Sequence, residues 1–237
     1  MTVRPAVDAV VVDIEGTTSS TGFVVDTLYP YSRARFGQWL SGRADDPDVQ
    51  RAVSQVRDLV GEPDAGPDRV VEALEGWLSR DEKVTPLKTL QGLIWADGFA
   101  RGDLTAHFYD DAVPALRRWH DAGLRLYVFS SGSLTAQATW FGHSPEGDLL
   151  DLFTARFDTE NAGPKRVAPS YAAISAATGE DPAHTVFLSD LVDELDAARQ
   201  AGWQTVGVRR PGEPYYDRGV GDHPEVASFD EVEPVRG

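Results

Sequence analysis

Ala9-Val10-Val11-Val12-Asp13-Ile14-Glu15-Gly16-Thr17-Thr18 is the stretch whose reading decides the fold. Its first four residues are apolar without alternation and three are β-branched, which is the pattern of a strand covered on both faces, as in a parallel sheet. A carboxylate follows at once. Leu124 to Phe129 repeats the pattern and ends at Ser130-Ser131-Gly132-Ser133, and Thr185 to Leu188 repeats it again and ends at Ser189-Asp190. Gln204 to Val208 reads as a weaker strand, because Gly207 interrupts it. Open α/β sheets bind ligands beyond the carboxyl ends of their strands, so these polar endings are expected to share one crevice.

Helical patterns lie between the later strands. Val113 to Asp121 sets Val113, Leu116 and Trp119 on one side, and Pro169 to Thr178 and Leu191 to Ala201 follow. Gly123, Gly179 and Gly202 stand where helices end. The alternation predicts right-handed βαβ units and an α/β fold built on a doubly wound parallel sheet. Residues 20–107 break the rhythm. Leu28, Phe36 and Leu40 share a side of one helical segment, Val70, Leu74 and Leu78 of another, and a third starts at Pro86 and carries Leu90, Leu93, Ile94 and Trp95. The expected organisation is a catalytic core of residues 1–19 and 108–237 with an all-helical cap of residues 20–107 inserted after the first strand. Within the cap, Asp45 to Asp48 and Glu62 to Asp68 read as loops, as does the tail after Pro211, rich in Gly and Pro until about Pro224.

Composition narrows the function. The 237 residues are 41% hydrophobic and 25% charged, ordinary for a globular chain with one sizeable core and a smaller accessory unit. Lysine and arginine total 22 against 38 acidic residues, and the formal charge of −16 repels nucleic acid and anionic membranes at long range. An anionic substrate would have to be drawn by a local site of metal, lysine and backbone amides. The chain has no cysteine, which excludes disulfides, thiolate catalysis and zinc–sulfur centres. No window approaches the roughly 20 apolar residues that span a bilayer, and Met1 to Ala9 lacks a signal-peptide pattern, so the expected setting is cytoplasmic.

Asp13 and Glu15, two apart at the end of a strand, can point into the same crevice. Their repulsion is costly unless a cation sits between them, and Mg²⁺ suits such oxygen ligands while bridging to phosphate. One carboxylate can then attack phosphorus while the other shuttles a proton. The plainer alternative is a strand-end aspartate capping a turn, with Glu15 solvated. Ser130 and Ser131, in a strand-to-helix turn, offer hydroxyls and amides to phosphate oxygens, although serine turns are more often helix caps. Lys165, in Gly163-Pro164-Lys165, can place an ammonium beside phosphate and nucleophile; taken singly, a loop lysine is a solvated charge. Asp190 would complete the metal's oxygen shell, while Asp193 and Glu194 suit the dipole of the helix they open and are read either as structural or as supports behind the site. His107 and His143 are read as hydrogen-bonded structural residues.

The order Asp-x-Glu, serine turn, lysine and strand-end aspartate, with a cap after the first motif, resembles the haloacid dehalogenase-like phosphatases. Most of those carry a second Asp where Glu15 stands. The form Asp13 to Thr18 is similar to that of the enolase-phosphatase (acireductone synthase) family. Leu90-Gln91-Gly92, Ser130 to Ser133, Phe141-Gly142-His143-Ser144, Phe157-Asp158-Thr159, Arg210-Pro211-Gly212 and Ser228-Phe229-Asp230-Glu231 extend the resemblance over nearly the whole chain. One departure is Glu160 to Pro164, a residue longer than usual, with Pro164 where a His often precedes the lysine.

The resemblance implies enolisation of 2,3-diketo-5-methylthiopentyl-1-phosphate followed by loss of its phosphate, which releases the acireductone of methionine salvage. It implies Asp13 as the nucleophile that becomes an aspartyl-phosphate, and Mg²⁺ held by Asp13, the Glu15 position and Asp190. In related phosphatases the residue at the Glu15 position contributes its backbone carbonyl, which leaves that side chain for proton transfer. Ser130, Ser131 and Lys165 would bind phosphate, with Lys165 also orienting Asp13. Either Glu15 or a metal-polarised enolate would serve the carbon-proton step. The cap would exclude water and hold the methylthio end, with Leu93, Trp95 and Phe99 as apolar candidates, though for any one of them packing within the cap is the stronger explanation. A monomer is implied, acting on a small-molecule phosphate; the alternative is a general phosphatase acting on another small phosphate ester.

Overall fold

The computed structural model describes residues 2–237 other than 81 and 83. Six strands form a single parallel sheet: β1 (Ala9–Val12), β2 (Arg125–Phe129), β3 (Phe153–Phe157), β4 (Thr185–Ser189), β5 (Gln204–Val208) and β6 (Glu225–Val226), in the order β3-β2-β1-β4-β5-β6. Every residue of β1 and β4 is buried, as their unbroken apolar runs require. Val12 pairs with Val128 on one side and with Leu188 on the other, so the residues after β1, β2 and β4 emerge together along one edge. The sheet grows to one side of β1 through β2 and to the other through β4. That makes the carboxyl end of β1 a switch point, where a crevice opens in doubly wound sheets.

Two of the strands lie outside the sequence expectation. β3 is an outer strand whose middle residues Thr154, Ala155 and Arg156 are not buried, so it lacks the continuous apolar signature. β6 has only two residues, and the tail that holds it carries short 3₁₀ turns at Tyr216–Arg218 and Phe229–Glu231. The expected helices form at Ala112–Asp121, Ala168–Thr178 and Val192–Gln200, and a further one runs over Leu134–Gly142. One face of the sheet is filled by Val11, Tyr127, Phe129 and Phe187 against Tyr171, Ile174, Leu195 and Trp203.

The chain divides into two compact units, one running to Thr21 and resuming at Ala106, the other spanning Gly22–Thr105. The second is helical, with its longer helices at Pro47–Val60, Pro67–Ser79 and Thr85–Ala100. Its buried cluster includes Phe36, Leu40, Val56, Leu74, Leu90 and Ile94. The loops expected at Asp45 to Asp48 and Glu62 to Asp68 are shorter than they looked. Asp46 is an N-cap that accepts the Asp48 amide at 2.8 Å, and Pro47 and Pro67 each open a helix, where a missing N–H costs nothing. The entry into this unit widens to a π turn over Val24–Leu28 before Tyr29–Arg33 resumes the α-helix. Gly98 allows a close approach here, because a Cβ would lie 2.6 Å from the Tyr31 hydroxyl. Trp95 stacks on Tyr29 and donates its indole N–H to the Leu28 carbonyl at 2.8 Å, Leu93 packs against the helical cluster, and Phe99 is buried. No helix among the described residues is long and apolar enough to cross a membrane.

At the amino end of the sheet, Arg125 forms an ion pair with buried Glu180, whose carboxylate also accepts the Tyr127 hydroxyl at 2.6 Å. The Arg125 hydrogen bond, with help from Tyr127, outweighs burial and holds the Glu180 carboxyl below its usual range. A depressed folded-state pKa means that this stabilisation is complete above the unfolded value, about 4.3, and is lost as pH falls through the folded one. Thermal melts of Glu180→Gln should therefore lie below wild type at pH 7, with the gap closing as pH drops below about 4; a gap independent of pH would show that Glu180 does not carry it.

Candidate active site

Asp13 continues the β1 ladder by donating its amide to the Leu188 carbonyl at 3.0 Å, and the chain then coils tightly on itself. The amides of Thr17, Thr18 and Ser19 all donate to the Ile14 carbonyl, at 3.2, 3.0 and 2.9 Å, and the Thr18 hydroxyl donates to the Asp13 carbonyl at 3.0 Å. This coil needs a left-handed residue, and Gly16 supplies it at φ +70°. Gly16 is required for a second reason: a Cβ would fall 2.2 Å from Oδ2 of Asp190. The backbone after β1 is thus pressed against the carboxylate after β4.

Lys165 reaches this point from the loop ahead of helix Ala168–Thr178. Its Nζ lies 2.7 Å from Oδ1 of Asp13 and 2.7 Å from Oε2 of Glu194, with the rings of Phe129 and Phe187 each 5.8 Å away. The Lys165 carbonyl accepts the buried Tyr171 hydroxyl at 2.7 Å, which anchors the loop to its helix. Oδ1 of Asp13 also accepts the Ile14 amide at 2.8 Å, while Oδ2 has the Ser189 hydroxyl at 3.5 Å. The Ser189 hydroxyl donates to Glu194 at 3.1 Å and accepts the Leu191 amide at 3.1 Å.

The charges do not balance. Asp13, Asp190 and Glu194 are 3%, 6% and 5% exposed, and the one cation among them, Lys165, is 7% exposed. Burial by itself would lower the Lys165 pKa, but the Asp13 and Glu194 carboxylates outweigh it and hold the ammonium well above its usual range. Burial, with the charges of Asp13 and Glu194 added, pushes Asp190 up to about 8. Burial likewise raises Glu194, against the pull of Lys165. With all three carboxylates ionised, one ammonium would leave two negative charges uncompensated, the deficit that a divalent cation would fill. Among the described residues no three His, Asp or Glu side chains converge as a metal-holding group. The oxygen set on offer is the Asp13 and Asp190 carboxylates with the carbonyls of the β1 loop, a donor chemistry that fits a hard cation such as Mg²⁺. Glu15 is only half-buried, and its backbone forms a bridge with Ser19.

Ser130 and Ser131 stand beyond β2 on the same edge of the sheet. Ser130 is buried and Ser131 exposed, and the Ser130 amide donates to the Phe157 carbonyl at 3.2 Å. Ser133 takes the capping role, accepting the Ala136 amide at 3.2 Å. Buried Gln137 braces the turn from behind by donating to the carbonyls of Gly132 and Phe157 at 2.9 and 2.8 Å, and Asp158 accepts the Leu134 amide at 3.0 Å. His143 Nδ1 lies 2.8 Å from the Thr139 carbonyl, and His107 Nδ1 accepts the Ser20 amide at 3.2 Å.

The structure therefore brings Asp13 and Lys165 into contact and sets Asp190 against Gly16. Glu194 stands with them through its contact with Lys165, which agrees with the supporting one of its two readings. Its signal was the spacing: helix Val192–Gln200 starts just after Asp190, and the residue four along from it turns back toward the strand ends. Asp193 points elsewhere and pairs with Arg218 at 3.1 Å.

The chain matches the haloacid dehalogenase-like hydrolases over residues 7–202. It is 65% identical to Enolase-phosphatase E1 of Streptomyces avermitilis over 223 residues, which covers 94% of this chain and 93% of that one. It is 54% identical to Enolase-phosphatase E1 of Frankia alni over 229 residues, covering 97% and 96%. Among solved structures, the UTR4 protein of Saccharomyces cerevisiae superposes with a TM-score of 0.79 at 30% identity, over 94% of this chain and 99% of that one. Identity of this order across nearly the full length of its relatives, on a sheet whose strand ends gather an aspartate, a lysine and a second aspartate, means that the chain belongs to the enolase-phosphatase family of haloacid dehalogenase-like hydrolases.

Proposed function

We propose that this protein is a Mg²⁺-dependent enolase-phosphatase that converts 2,3-diketo-5-methylthiopentyl-1-phosphate to acireductone and phosphate, acting as a cytoplasmic monomer. The observation that carries the reading is the 2.7 Å contact between the Lys165 ammonium and Oδ1 of Asp13 inside a buried, over-acidic crevice. Lys165 and the Ile14 amide hold Oδ1 at 2.7 and 2.8 Å, whereas Oδ2 has the longer 3.5 Å contact with the Ser189 hydroxyl and is the oxygen that attacks phosphorus. The Oδ2–P bond forms as the ester P–O bond breaks, and Glu15 protonates the departing oxygen. Glu15 then takes a proton from the water that attacks phosphorus, which releases phosphate and restores Asp13. Ser130 and Ser131 orient the phosphate, and Lys165 offsets the repulsion between it and Asp13.

Asp13, Asp190 and the Glu15 carbonyl would hold Mg²⁺, which when bound neutralises charge on the phosphate oxygens. Residues 1–19 and 108–237 are the catalytic core in this reading and residues 20–107 its cap. For the enolisation, Glu15 is the protein's own candidate to take the proton beside the carbonyl.

Turnover of the diketo phosphate, followed by absorbance and by phosphate release, tests the whole reading. The enolic chromophore should appear together with phosphate and need Mg²⁺, whereas phosphate released only from unrelated esters would leave a general phosphatase. Asp13→Asn, nearly isosteric, should keep the fold by circular dichroism and lower kcat by about 10³-fold or more; wild-type-like rates would remove the covalent route. Asp190→Asn should raise the Mg²⁺ concentration for half-maximal rate by about 10–100-fold, and an unchanged requirement would exclude it as a ligand.

A further inference from the structure

The loop that follows the nucleophile closes on itself between Asp13 and Ser19, but it is also gripped from outside by a turn that none of the chemistry above uses. Arg210, at the end of β5, is 4% exposed and directs Nε and Nη2 at the Thr17 carbonyl, at 3.2 and 3.0 Å. Its Nη1 donates to Asp111 at 2.8 and 2.7 Å and to the Ala227 carbonyl at 3.2 Å. The guanidinium lies over the rings of Tyr109 and Phe229, with centroids 4.3 and 5.1 Å away. Asp111 is itself fixed by the Ser228 hydroxyl at 2.8 Å and by the Phe229 amide. A planar fork with partners on each arm and rings beside it has little freedom to move.

Three residues on, Glu213 takes the far end of the same loop. Its carboxylate accepts the Thr21 amide at 3.0 Å and the Tyr109 hydroxyl at 2.5 Å, and Ser20 donates to it as well. Tyr109 in turn donates its amide to the Thr18 carbonyl at 3.0 Å. Burial works against the charged form of Glu213, but the Ser20, Tyr109 and Thr21 hydrogen bonds outweigh it and keep the carboxyl below its usual range. A carboxylate so committed is a poor proton acceptor and a good anchor.

We propose that Arg210 and Glu213 are positioning residues, a two-point clamp that grips the loop at Thr17 and at Thr21 and thereby holds Asp13 and Glu15 in register for attack and proton transfer. The proposal rests on the phosphatase reading above for its catalytic consequence. Its mechanical content does not depend on that reading. Misplacing a reacting group by about 1 Å can cost up to about a hundredfold in rate, so a slackened loop should lower kcat while leaving substrate binding nearly intact.

The test compares Arg210→Lys, Glu213→Gln and Tyr109→Phe with wild type and with Arg125→Gln, a control that breaks the Arg125–Glu180 pair at the opposite end of the sheet. Arg210→Lys keeps the charge and loses the fork; the other two remove one anchor each and keep the protein testable should the buried lysine not fold. Two quantities are read well below each protein's Tm: amide hydrogen exchange over residues 14–21 without substrate, and kcat and KM on the diketo phosphate. Exchange should rise about tenfold or more in the clamp variants, with kcat falling between about tenfold and a hundredfold, KM within about twofold, and Arg125→Gln at wild-type values for both. Unchanged exchange over the loop overturns the clamp whatever the activity. So does a kcat within about twofold of wild type in the folded variants, or a loss shared by Arg125→Gln. A wild-type enzyme that does not turn over the substrate counts against the functional assignment alone, because the exchange measurement still decides the clamp.

Discussion

The Lys165 ammonium, 2.7 Å from Asp13 and 2.7 Å from Glu194 with all three side chains buried, is the constraint on which the rest of this site depends. A buried charge is tolerable only when it is paired and hydrogen-bonded, and removing one partner of such a pair costs about 3–5 kcal/mol. The loop before helix Ala168–Thr178, the end of β1 and the first turn of helix Val192–Gln200 are therefore committed to one another by electrostatics as well as by packing. Yet the ammonium satisfies only part of the negative charge it meets. Burial raises the Asp190 carboxyl, and the neighbouring Asp13 and Glu194 charges add to that rise.

Much of the fold was legible because the central strands are so monotonous. β1 and β4 are buried on both faces, which forces unbroken apolar runs, and each run stops where the backbone meets the crevice, so that the polar residues advertise the ligand end. β3 escaped notice for the opposite physical reason. It lies at the sheet's edge and leaves Thr154 exposed and Ala155 and Arg156 only partly buried, so the buried positions are Phe153 and Phe157 at its ends. The loops around Pro47 and Pro67 were drawn too long because proline and aspartate mark both turns and helix beginnings, and only the caps tell them apart.

For the site, Asp13, Lys165 and Asp190 could be picked out because each sits at or beside the end of a readable element. Glu194 could not, since an acidic residue in the first turn of a helix is sufficiently explained by the helix dipole. The supporting residues were further from view. Gln137 braces the serine turn from within a helix, and Arg210 reaches Thr17 across 193 residues of sequence. Gln137 and one edge of Arg210 bind backbone carbonyls, which leave no trace in residue identity. A side chain that binds a carbonyl can be inferred only once the chain path is known.

The position of β1 has a consequence for how the chain comes to be built. It is the first strand made and lies in the middle of the sheet, where its hydrogen-bonding partners are β2, beginning at Arg125, and β4, beginning at Thr185. During synthesis Ala9–Val12 must therefore wait, apolar and unpaired, while the whole Gly22–Thr105 segment leaves the ribosome with a buried cluster of its own. The order of emergence inverts the spatial order: the insertion has the means to collapse first, and the domain it interrupts can close only after most of the chain has been translated. A nascent chain stalled before Arg125 would carry Ala9–Val12 with no sheet to join, an exposed apolar run of the kind that holding chaperones cover.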